Sequence, residues 1–321
     1  MGFETLWLRE TSLPEAGFPE EREDLSIEST VEIELGILRS MRDDFTWSYM
    51  VTDSLPEEGY EILVSEGKAD ILGGSPAGVL YGIFDAQRQL ELTNTVTAVS
   101  ENPAFPLRML NHWDNADGSI ERGYSGKSFF FRNGEVIVDE RTLFYARLCA
   151  SVGLNASVIN NVNVFGDATN LITKERLPRV RELSDCFAAY GVRLYLCVNF
   201  AAPMELGGLD SADPLEPEVI AFWERTAADI YEAIPNFGGF LVKADSEGRP
   251  GPYTYGRTQA DGANLLARVL KPYGGRLIWR CFVYNCSQDW RDTTIDRACA
   301  AYNTFRPLDG TFEDNVVLQV K

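Results

Sequence analysis

After Pro106 the sequence settles into a repeating beat of short apolar run, polar loop and amphipathic segment, a pattern that few folds accept. Apolar runs at 107–110, 156–159, 193–198, 239–242, 276–279 and 315–320 are too short for helices and predict strands. Helical patterns lie between them at 140–151, 174–190, 218–233, 258–270 and 290–302. Strands joined by crossover-length helices imply a parallel sheet, because parallel neighbours need a long return path. The step from strand to strand is about 35 to 50 residues, normal for a (β/α)8 barrel with loop insertions. A doubly wound sheet fits the same beat. Six strands are visible and the sequence stops on the sixth. The expectation is an α/β chain, 107–321, forming the front of an incomplete TIM-type barrel.

Residues 1–102 read differently. The stretch 26–35 alternates partly, as a strand would, and 59–64 and 69–74 read as strands separated by a turn at Glu66-Gly67. Ser75-Pro76 then opens a helix in which Leu80, Ile83 and Phe84 share a face. This mixture predicts a small α+β domain. Residues 103–106 form its linker, since Pro103 and Pro106 suit neither a helix nor a central strand.

Of the 321 residues, 45% are hydrophobic and 24% charged, as in ordinary globular chains. No apolar stretch reaches the roughly 18 residues that span a bilayer. The first ten residues lack a basic and apolar leader pattern, so a cytoplasmic protein is expected, or a secreted one if a signal was removed. A net charge of −19 argues against nucleic-acid binding and requires any anionic substrate to meet a local basic pocket. The six cysteines form no CxxC pair and read as buried thiols of a reducing compartment. His112 is the single histidine, which disfavours a His-rich metal centre and a Ser-His-Asp triad, so no cofactor or metal is expected.

Chemistry concentrates where the predicted strands end. Their carboxyl ends read Asn111-His112-Trp113-Asp114, Asn160-Asn161-Val162-Asn163, Asn199-Phe200, Lys243-Ala244-Asp245-Ser246-Glu247, Arg280-Cys281-Phe282-Val283-Tyr284 and Lys321. In a barrel of parallel strands these ends share one mouth. The mixture suits a sugar. Trp113 offers a flat apolar face, asparagines such as Asn161 pair with hydroxyls, and Lys243, Arg280 and Lys321 provide charge for an anion. Glu247 is the natural proton donor, or else a salt-bridge partner of Lys243 or Arg249. Asp245 suits a structural role, capping its loop or orienting a neighbour.

At these residues the chain resembles glycoside hydrolase family 67, the α-glucuronidases. The resemblance runs through Arg108–Asn115, Asp117–Gly126, Ile159–Asn163, Val242–Pro252, Trp279–Tyr284 and Asp314–Lys321. The upstream Gly73–Gly82 looks like the α+β domain that precedes the barrel in this family and in hexosaminidases. The resemblance implies inverting hydrolysis of an α-1,2 bond, releasing (4-O-methyl)glucuronic acid from glucuronic-acid-substituted xylo-oligosaccharides. It makes Glu247 the general acid and sets Trp113, Lys243, Arg280 and Lys321 around the uronic acid, and Asn161 is kept as a further substrate-binding residue on the reading of the strand ends. The family's candidate base carboxylates, last barrel strands and dimerisation domain follow the lysine that matches Lys321. A chain ending there is expected to be an inactive fragment. The competing expectations are a truncated product that only binds acidic sugars and an unrelated metal-dependent hydrolase.

Overall fold

A computed structural model of the protein describes residues 24–282, 291, 292, 294 and 296–320. In chain order the elements are α1 (Ile27–Met41), β1 (Thr46–Val51), β2 (Tyr60–Ser65), β3 (Lys68–Gly73), α2 (Pro76–Thr93), β4 (Val99–Glu101) and β5 (Met109–Asn111). Then follow β6 (Phe131–Arg132), β7 (Glu135–Val136), α3 (Glu140–Ser151), β8 (Ala156–Val158), α4 (Leu177–Ala188), β9 (Arg193–Cys197), α5 (Ala202–Glu205) and α6 (Pro217–Ala233). The last are β10 (Gly239–Val242), α7 (Gln259–Leu270), β11 (Arg276–Cys281), α8 (Arg297–Phe305) and β12 (Val316–Val320). The chain divides into two units. One comprises Met1–Leu110, Val138–Ala156 and Leu183–Arg193, and the other Asn111–Ile137, Ser157–Glu182 and Leu194–Lys321.

The first unit holds a four-stranded sheet in the order β1-β3-β2-β4, with β1 parallel to β3 and β2 antiparallel to both β3 and β4. Ser75 caps α2 as its sequence suggests, accepting from the Gly78 N–H at 3.3 Å. The stretch 26–35 is a helix and not a strand. Ser26 caps α1, and Val31, Glu34, Leu35 and Leu38 are buried at the three- and four-residue spacing of one helical face. Leu38 lies beyond the window in which the residues alternate, so the longer period decides the structure. Glu34 is buried because Arg147 of α3 grips it through two bonds of 2.7 and 2.9 Å, with both side chains 1% exposed. Gln87 of α2 and the Tyr190 hydroxyl complete the cluster.

Six strands form one sheet in the order β12-β11-β10-β9-β8-β5. From β9 to β12 every pairing is parallel. At β5 and β8 the bonds Asn155 N–H to Arg108 O and His112 N–H to Val158 O advance together along both segments, which is also parallel. Each strand lies beside its sequence neighbour and the order never reverses. A doubly wound sheet needs a reversal at its switch point, so the order is that of a barrel wall. Strands β8 and β10 are buried at every residue, as expected where both faces are covered. Gly239 begins β10 at φ +138°, and a Cβ there would strike the Arg276 carbonyl, so no larger residue fits this crossing into β11.

The strands predicted at 59–64 and 69–74 and those after Pro106 agree with the observed ones within about two residues, the usual boundary error. The small hairpin of β6 and β7 was not anticipated. Its turn, Asn133-Gly134, has φ of +53° and +84°, as a two-residue hairpin requires. Among the described cysteines Cys149, Cys186, Cys197 and Cys281 are buried, while Cys299 is exposed. No helix among the described residues is long and apolar enough to cross a membrane.

Candidate active site

The site is built where β5, β8, β10 and β11 end, within the second unit. After β5 the chain makes a long excursion whose base is locked by Asp114. Its carboxylate accepts from the Ser128 hydroxyl at 2.6 Å and the Phe129 N–H at 2.8 Å. Asn115 donates to Ser119 and to the Glu121 carbonyl, at 2.8 and 2.9 Å. The excursion turns back at Glu121, φ +58°, and Gly123, φ +91°, leaving Arg122 projecting between them.

Lys243 follows β10 with its side chain 6% exposed. Its ammonium donates to Asn163 Oδ1 at 2.7 Å, lies 3.4 Å from Glu247 Oε1 and sits over the Phe282 ring at 4.5 Å. Burial pulls its pKa down, opposed by the Glu247 charge and reinforced by Arg280 and Arg122. Glu247 stands at φ +56°, close behind Asp245 at φ +50°, so two residues other than glycine occupy the left-handed region within one short loop. Arg122 Nη2 reaches Glu247 Oε1 at 3.1 Å. Burial alone would raise the Glu247 pKa. The charges of Lys243 and Arg122 overcome it and hold the carboxyl below the usual range.

Arg280 is the penultimate residue of β11 and is 8% exposed. Its guanidinium covers the Trp113 ring at 5.2 Å, and Nη1 donates to Gln319 at 3.4 Å. Its Nε is buried without a partner. Two cations, Lys243 and Arg122, thus meet on the Glu247 carboxylate, and the charge of Arg280 is felt at Lys243, in a protein of net charge −19.

Of the residues singled out from sequence, Glu247, Lys243, Arg280 and Trp113 come together. Asn161 lies beside them, but its amide is committed to scaffolding. It donates to Asn115 Oδ1 at 2.9 Å and to the Glu121 carbonyl at 3.2 Å, and accepts from the Asn163 N–H at 2.9 Å. Lys321 and Tyr284 lie outside the described residues. Sequence reading passed over Arg122, Asn163 and Phe282 as site residues. Asn163 and Phe282 stand at strand ends already marked as polar or aromatic, a signal that could have included them. Arg122 is 125 residues from Glu247, and nothing local announces their pairing. Asp245 takes the structural role expected of it, accepting from the Tyr253 N–H at 3.2 Å and from Gln259 at 2.9 Å.

A parallel wall in barrel order with a charged, aromatic mouth is an architecture found among glycoside hydrolases, and solved structures agree at the level of fold. A glycoside hydrolase family 138 enzyme targeting pectin rhamnogalacturonan II superposes with a TM-score of 0.56 at 13% identity, covering 92% of this chain and 37% of the other. The family 20 exo-β-N-acetylglucosaminidase of Vibrio harveyi gives 0.51 at 17% identity, covering 93% and 56%. The sequence is more specific: residues 87–321 match the glycosyl hydrolase family 67 middle domain, and the chain belongs to that family. It is 46% identical over 283 residues to alpha-glucuronidase A of Emericella nidulans, covering 84% of this chain and 33% of the relative. Alpha-glucuronidase A of Aspergillus tubingensis is 45% identical over 273 residues, covering 84% and 32%. The chain therefore spans about a third of the length of the curated relatives it matches.

Proposed function

We propose that this chain forms the acid-bearing part of an α-glucuronidase site. The proposed reaction is inverting hydrolysis that releases (4-O-methyl)glucuronic acid from substituted xylo-oligosaccharides. The observation that supports it most is the cationic cluster of Lys243, Arg280 and Arg122 gathered against a strongly negative net charge. Such a pocket suits a sugar that is itself an anion. In this reading Trp113 faces the ring, Arg280, Lys243 and Lys321 take the uronate carboxylate, and Asn161 holds the loops that frame it. The strands belong to a (β/α)8 barrel, and residues 1–102 form a hexosaminidase-like α+β domain before the linker at 103–106.

Glu247 is the proton donor. Cations hold it ionised in the sugar-free site, so it must gain its proton as substrate binds. The uronate supplies the means. By drawing the charge of Lys243 and Arg122 toward itself, it lifts the hold on Glu247 and raises its affinity for the proton. Inversion also needs a carboxylate across the ring, about 6.5–9.5 Å from the acid, to activate water. The family resemblance sets that base beyond Lys321.

The test is Glu247→Gln in the full-length gene product. Turnover of a glucuronoxylo-oligosaccharide should fall by about 10²–10⁴-fold, while an aryl glucuronide with a good leaving group, which needs little protonation, keeps most of its rate. Equal loss on both substrates would remove Glu247 from the role. Glucuronate binding with no hydrolysis by the full-length product would favour the second reading, a protein that only binds acidic sugars.

A further inference from the structure

The loop that presents Glu247 is held by a buried chain of hydrogen bonds that the proposed chemistry does not itself use. Gln259, the first residue of α7, donates through Nε2 to Asp245 Oδ2 at 2.9 Å and accepts through Oε1 from the Trp279 indole at 2.9 Å. The orientation of its amide is dictated, because a carboxylate only accepts and an indole only donates. Asp245 is 2% exposed, Gln259 1% and Trp279 0%. Asp245 lies two residues before Glu247, and Trp279 immediately precedes Arg280 on β11. One side chain therefore ties the acid's loop to the strand that bears the clamp arginine.

The backbone explains why such a tie is needed. Asp245 and Glu247 both stand at positive φ, a conformation that persists only where the surroundings over-determine it. The loop folds back on Asp245 so tightly that a Cβ on Gly251 would collide with the Asp245 backbone nitrogen and carboxyl carbon. The bonds from Gln259 and Tyr253 are the ones that fix the Asp245 carboxylate, and with it the strained start of the loop.

We propose that Gln259 is a positioning residue: through Asp245 it sets Glu247, and through Trp279 it keeps the proton donor in register with Arg280. This rests on the assignment of Glu247 as the acid. A displacement of about 1 Å at a reacting group costs on the order of 10²-fold in rate, so releasing the clasp should lower kcat while leaving sugar binding nearly intact.

Gln259→Glu tests the idea, because its clasp depends on pH. At low pH a proton shared by the introduced carboxyl and Asp245 preserves the bond, and the indole still has its acceptor. At higher pH two buried carboxylates face each other and the clasp opens. Lys243, Arg280, Glu247 and Asp261 are the charged neighbours on the joined elements, and they are the same in the native and variant proteins. In the full-length gene product, kcat on a glucuronoxylo-oligosaccharide should be near native at low pH and fall by about 10²-fold as pH rises, in a step the native profile lacks. KM should stay within about twofold, and the aryl glucuronide should keep most of its rate. Gln259→Met, which has no donor at any pH, should show the loss throughout. A native pH profile for Gln259→Glu, or proportional loss on both substrates, would overturn the proposal, as would failure of Gln259→Glu to fold at low pH. If Glu247→Gln itself slows both substrates equally, the acid assignment falls and takes this inference with it. A split for Glu247→Gln with no pH step for Gln259→Glu removes the clasp alone.

Discussion

Replacing Arg280 with alanine removes a cation that is 8% exposed and sits over the Trp113 ring at 5.2 Å. Burial lowers its pKa, yet an arginine remains charged at neutral pH. A hydrogen bond from such a group to a uronate carboxylate contributes about 1.5–3 kcal/mol. At about 1.36 kcal/mol per factor of ten, its loss should weaken glucuronate binding by roughly 10- to 150-fold. A second effect must be separated from this one. Trp113 also loses the group that packs on its face, worth about 0.5–2 kcal/mol, and that loss acts on charged and neutral sugars alike. Arg280→Met restores apolar contact without charge and isolates the electrostatic part. Calorimetric titration with glucuronate and glucose provides the assay. The native protein should prefer glucuronate, and the preference should collapse in both variants. Equal affinity for the two sugars in the native protein, or equal loss of both in Arg280→Met, would refute the clamp.

In the first unit, Arg147→Met strands the Glu34 carboxylate at 1% exposure and should cost about 3–5 kcal/mol in urea unfolding, most of it recovered by the double replacement Glu34→Leu/Arg147→Met. Arg122→Ala relieves Glu247 of one of the two cations that hold its proton affinity down, so the basic limb of the kcat/KM profile should move to higher pH; a shift to lower pH would contradict the ion pair as the cause. Burial pushes Asp245 up to about 6, well above the usual carboxylate value of about 3.9. The folded state therefore binds that proton more tightly than the unfolded chain, and this contribution to stability is full below about pH 4 and lost as pH rises through 6. Asp245→Asn should flatten the urea midpoint across that window, and an unchanged slope would show that the carboxyl does not titrate there.

The beat of strands and helices was legible because period and length are local properties of a chain, and β10 and α3 match their predicted bounds to the residue. That Glu247, Lys243 and Arg280 would gather was legible too, since charges at the ends of buried strands have little structural reason to be there. Local reading failed at α1. The stretch 26–35 alternates well enough for a strand, and the burial of Leu38 with the grip of Arg147 on Glu34 decides for the helix. Neither Leu38 nor Arg147 can be read from 26–35.

What the sequence determined by itself, then, is the class of architecture and the stock of reactive side chains, because both follow from spacing along the chain. Which groups meet was decided only by the tertiary structure. Arg122 reaches Glu247 across 125 positions, Lys243 reaches Asn163 across 80, and Gln259 joins Asp245 to Trp279. Those meetings depend on strand order in the sheet and on loops that turn at positive φ at Glu121, Asp245 and Glu247. Such turns are disfavoured in the isolated chain and exist because hydrogen bonds and ion pairs from other parts of the chain hold them.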